Sequence, residues 1–190
     1  MKQNRVRSAA AVLATTIALG FAASSAQAQT TINASSTFSG TFGSSHIDTN
    51  RDGLSANTQV IGLLSGPFGR STIEALDESV PAGEGICANG NPGVLFSLLI
   101  ADGAPGSFIQ RFEQSGDLLY MTETAGIGCA DANGALSFEA SGTINGGTGR
   151  FSRATGTFKM RGTGNFLFAD ESDSFGGQQG TFDQTIILPN

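Results

Sequence analysis

Apolar and polar residues alternate along much of the chain, the period of two that turns one face of a strand to a core and the other to water. In 136–141, Leu136, Phe138 and Ala140 share one face while Ser137, Glu139 and Ser141 share the other. Phe158 and Met160 likewise oppose Lys159 and Arg161, and Phe38 and Phe42 fall on one face. Beyond residue 28 no helical period lasts more than a turn. Gly, Ser, Thr and Asn interrupt the alternation every eight to twelve residues, the spacing of an all-β sandwich or barrel.

With these alternating segments, strands predicted over 57–64, 71–76, 94–100, 108–113, 118–124 and 181–188 bring the count to roughly eight. Gln114-Ser115-Gly116-Asp117 reads as a hairpin turn between two of them. Val94 to Ile100 is nearly all apolar, which predicts a strand buried on both faces, with a short buried helix as the alternative. No linker interrupts the chain, so residues 29–190 are expected to form one domain with its core in 35–188.

Composition narrows this further. Phe, at 14 residues, supplies most of the large core volume beside 27 Gly, with no Trp and one Tyr. A small closed barrel takes such a mixture of large and small inward side chains. A ligand cavity and an ordinary filled core share this composition, and both readings stand. The net charge of −6 argues against a nucleic-acid partner, and a 14% charged fraction argues against disorder. One His and two Cys are too few for a zinc finger, an iron–sulfur cluster or a His-rich metal centre.

Residues 1–28 read as a signal peptide. Lys2, Arg5 and Arg7 precede an apolar run over 9–23, and Ala26-Gln27-Ala28 offers a cleavage site before Gln29. The run is too short for a membrane span, and no later stretch approaches that length. Cleavage removes three of the ten basic residues and none of the sixteen acidic ones, so the mature chain carries seven basic against sixteen acidic. The expected destination is the periplasm or the extracellular space. In such an oxidising compartment Cys87 and Cys129, each in a Gly-rich loop, are expected to form a disulfide. A nucleophilic Cys is the alternative, but neither has a basic cluster beside it. One geometric objection stands against the bond. In a simple meander, the loop before 94–100 and the loop after 118–124 lie at opposite ends. The objection lapses if the long loops fold back or if 94–113 forms one bent strand.

The most distinctive stretch is Gly146-Gly147-Thr148-Gly149-Arg150-Phe151, followed by Ala154 and Gly156. It leads into an alternating strand, not a helix, and lacks the Lys of a phosphate loop. Gly146, Gly147, Gly149 and Gly156 read as turn positions, and Phe151 as a core plug. The stretch resembles the Gly-Gly-Thr-Gly-x-Phe-x-x-Ala-x-Gly turn of the allene oxide cyclase and dirigent β-barrels, especially of secreted bacterial proteins with an allene-oxide-cyclase-barrel-like domain. That resemblance implies an all-β fold, a single eight-stranded antiparallel barrel. It carries no catalytic residue across.

Candidate chemistry is sparse. Asp48, Asn50 and Asp52 match the first half of a calcium loop, with Gly53 at its turn, but Gln59 stands where a bidentate Glu is expected. An ordinary Asx turn is the alternative. His46 reads as a surface residue in preference to a general base, and 170–173 as a solvated acidic loop. Gln110 and Gln184 fall between apolar neighbours of like parity and Tyr120 between Leu118 and Thr122, and all three are candidates to face inward and orient a ligand. Three functions remain. The leading one is a non-catalytic, exported barrel holding a small lipophilic molecule. The others are a cyclase or stereocontrol enzyme with a polar group inside an open cavity, and a calcium-stabilised envelope or matrix protein. No cofactor is expected unless calcium binds, and the sequence leaves a homo-oligomer open.

Overall fold

The computed structural model describes residues 29–48, 57–87, 89–99, 107–131, 135–170 and 173–189. The expected signal peptide, 1–28, lies outside them. The described elements are β1 (Gln29–Ser45), β2 (Asn57–Gly66), β3 (Gly69–Ile86), β4 (Pro92–Leu99), β5 (Phe108–Phe112), β6 (Leu118–Ala130), β7 (Ala135–Gly147), a single 3₁₀ turn (Gly149–Phe151), β8 (Thr155–Ala169) and β9 (Ser174–Pro189). All pair antiparallel in one nine-stranded sheet. The pairing runs from β2 through β1, β9, β8 and β7 to β6, then through β4 and β5 to β3, and β3 pairs with β2. The sheet is therefore a ring.

Two strands share one place in that ring. β3 pairs with β5 through Ser71–Ala75 and with β4 through Glu78–Ile86. Across the same place, β6 pairs with β5 through Leu118–Met121 and with β4 through Gly126–Gly128. β4 and β5 thus run in the same direction, end to end, where a single strand would otherwise lie. This answers the objection to the disulfide. The chain enters β4 at the end where it leaves β6, so Cys87 and Cys129 meet there. Their α-carbons are 6.4 Å apart and the two residues are bonded. The bond closes a 42-residue separation across a seam that holds only three β4–β6 register pairs. Reduction should cost about 4 kcal/mol. Urea melts with and without reductant measure it, and amide exchange should rise first in β4 and in the distal half of β6.

A ring one sheet thick has an inside and an outside, so no strand can be buried on both faces. The expectation for Val94 to Ile100 fails for this reason: Val94 is 41% exposed and Leu95 38%. Ile100 lies outside the described residues. Elsewhere the alternation holds, and Phe38, Ala140, Phe158 and Met160 all point into the core.

The interior differs along the ring axis. At the end holding the start of β6 and the end of β7, aromatic rings fill it. Phe151 is fully buried and stacks on Phe112 at 4.7 Å, with Phe68 edge-on to both. The Arg150 guanidinium caps the cluster, 4.6 Å from the Phe151 ring centre and just over 5 Å from the other two, and it is tethered by Asp117. Asp117 also explains part of the glycine motif. Gly149 takes φ +52°, and a Cβ there would lie 2.0 Å from the Asp117 carboxylate. Thr148 locks the same turn: its backbone N–H donates to the Leu118 carbonyl, and its hydroxyl accepts from the Leu118 N–H, both at 2.9 Å.

Candidate functional site

The opposite end of the ring is hollow. A cavity of about 280 Å³ lies there, at the small end of ligand pockets, which run about 300–1,000 Å³. Its walls are mainly carbon, from Val60, Phe96, Phe108, Phe138 and Met160 among others. Two carboxylic acids, Asp77 of β3 and Glu123 of β6, open into it, and both are buried.

The split place in the ring brings the acids together. Ser107 stands at the proximal end of β5, where the wall is interrupted, and reaches both neighbouring strands. Its hydroxyl donates to Asp77 and accepts the Glu123 backbone N–H at 3.2 Å, while its carbonyl accepts the Leu76 N–H at 3.1 Å. β6 shifts register between Glu123 and Ala125, a bulge of the kind often found beside sites. Gly126 then leaves room for the acid: a Cβ there would lie 2.8 Å from Glu123 Oε1.

Burial sets the electrostatics. It pushes the Asp77 carboxyl up to about 7, against the Ser107 hydrogen bond, which pulls it down. Burial first and the Asp77 charge second hold Glu123 well above the usual carboxylate range. Around neutral pH the pair therefore holds protons that a surface carboxylate would have lost. Asp77 Oδ1 has no hydrogen-bond partner among the described residues, nor has the side-chain nitrogen of Gln178, which lines the same cavity. Such an arrangement can donate a proton, accept one, or hold a polar group of a small molecule.

The candidates from the sequence fall elsewhere. Gln110 and Gln184 are buried deeper, in the filled part of the core. Gln184 Nε2 donates to Gln110 Oε1 and Gln110 Nε2 to Ser71 Oγ, both at 2.9 Å. Tyr120 is half-buried and alternates with the fully buried Leu119 and Met121, which puts it on the other face of β6. His46 pairs with Asp173 at 2.8 Å in an exposed position. Of the calcium candidates Asp48 is described, while Asn50 and Asp52 lie outside the described residues. Asp77 and Glu123 escaped the sequence reading, although a signal existed. Asp77 continues the parity of Ser71, Ile73 and Ala75, and Glu123 that of Leu119 and Met121. A carboxylate in phase with a buried apolar row is the mark to look for.

No protein-family model matches the chain, and no curated protein matches it. Among solved structures, that of the pterocarpan synthase dirigent protein GePTS1 is similar at 15% identity. The match covers 86% of this chain and 93% of that one, with a TM-score of 0.22.

Proposed function

We propose that the protein is an exported eight-stranded β-barrel of the allene oxide cyclase and dirigent type that holds a small, largely apolar molecule in its hollow end. The observation that carries the binding reading is the carbon-walled cavity with two buried acids opening into it. Stability alone gives no account of such acids, because an unpaired buried carboxyl costs free energy. The pattern of residues 1–28 and the disulfide support export, and the closed ring with its glycine turn supports the barrel.

Native mass spectrometry of the mature protein against a library of small lipophiles tests binding. The expected result is a retained ligand that is lost in Ala140→Leu, which places three extra carbons in the cavity while circular dichroism stays unchanged. Retention of no library member would sink the reading. One feature favours a second reading, acid–base conversion of the bound molecule: burial pushes the Asp77 carboxyl up to about 7, where it can both give and take a proton. Under that reading, Asp77→Asn keeps the ligand and stops its conversion. Under pure binding, no conversion is seen in either protein.

A further inference from the structure

Among the described residues the acid pair has no cation beside it: no described Lys, Arg or His lines the cavity, and none of the described ion pairs includes Asp77 or Glu123. The other acids nearby do not change this. Glu139 lines the cavity wall but pairs with Lys159, and Glu78 is buried at the next position of β3. Among the described residues, the charge that the hollow end takes on when these acids ionise is therefore negative, within a chain whose net charge is −6.

We infer that the ligand of this site is a small hydrophobic ammonium ion, its N–H groups on the carboxylates of Asp77 and Glu123 and its carbon body against the phenylalanine rings; this rests on the cavity being a binding site. Three features point that way. An ammonium offers up to three N–H donors, and Asp77 Oδ1 lacks one. Phe42, Phe96, Phe108 and Phe138 line the same cavity, and a ring face attracts a cation most strongly where water is excluded. Once Asp77 has lost its proton an anionic ligand would meet like charge, and a hydrocarbon would leave the acid oxygens as they are. A hard metal ion wants six or more oxygens, which these carbon walls do not offer.

The cation would also change the acids themselves. Asp77 sits at about 7 because burial disfavours its charge, and an adjacent ammonium favours that charge and draws the proton off. Binding of the amine should therefore release a proton near pH 6.5 and strengthen as pH rises toward 8.

Calorimetric titration with 2-phenylethylamine and with the near-isosteric 2-phenylethanol decides it. At pH 8 the amine should bind at least tenfold more tightly, and at pH 5.5 most of that preference should vanish. Asp77→Asn should bring the amine down to the level of the alcohol while alcohol binding persists, and Glu123→Gln provides the same comparison if the first variant folds poorly. Equal binding of amine and alcohol at pH 8, or a preference that survives in both variants, overturns the ammonium assignment and leaves the cavity reading intact. If neither probe binds at any pH, both fall together. The pH series on the unmodified protein is decisive without any variant.

Discussion

Urea denaturation of the mature protein should show stability falling as pH rises from about 4 to about 7. The sign follows from the buried acid. Asp77 keeps its proton up to about 7 in the fold, whereas an exposed aspartate loses it near 3.8. Between those values the folded chain binds more protons than the unfolded one, so each step up in pH favours unfolding. The contribution is fully present below about pH 4 and lost as pH passes 7. At about 1.4 kcal/mol per pKa unit, the effect is on the order of 4 kcal/mol. Glu123, raised in the same direction, prolongs the decline above neutrality. Asp183 works the other way, because hydrogen bonds from Ser35 and Arg161 lower it, but it is largely solvated and its share is small. Asp77→Asn isolates the larger effect: the variant should match the parent near pH 4 and exceed it at pH 8. A parent protein that gains stability between pH 4 and 7 would contradict this account of the pair.

Phe151→Ala should cost about 4–5 kcal/mol, near the upper end for deleting a core aromatic. The ring is fully buried, stacked on Phe112, flanked by Phe68 and covered by Arg150, so its removal opens a void that no neighbour can swing into. The stacking and the cation–π contact are lost as well. Chemical denaturation at pH 5, where the acid pair is protonated, is the measurement. A cost under about 2 kcal/mol would mean that the filled end collapses around the gap. Because Phe151 lies at the far end of the ring from the cavity, ligand affinity should change little in any molecules that remain folded.

The strands were legible in the sequence because alternation is a local property. Leu136, Phe138 and Ala140 needed only their own spacing to be assigned inward. The apolar run from Val94 failed for a non-local reason: whether a second layer covers a strand depends on how the sheet closes. The division of one place between β4 and β5 was equally hidden, because it depends on which stretches of β3 and β6 each strand finds. The candidate site was lost through parity. Reading Tyr120 in phase with Leu118 and Thr122 passed over the alternate row of Leu119, Met121 and Glu123, which is buried throughout. Ending the β3 strand at Leu76 left Asp77 one residue outside the pattern. Both readings left an acid outside the inward row.

A sheet closed on itself has no free edge for another chain to join, which protects a β-rich protein from edge-to-edge association. The place shared by β4 and β5 departs from that closure. Among the described residues, Thr122 to Ala125 of β6 have no ladder partner on that side, and the Ser107 hydroxyl stands in for one missing rung by accepting the Glu123 N–H. The interruption that admits two acids to the interior is thus, among the described residues, also a stretch where a side chain stands in place of a neighbouring strand.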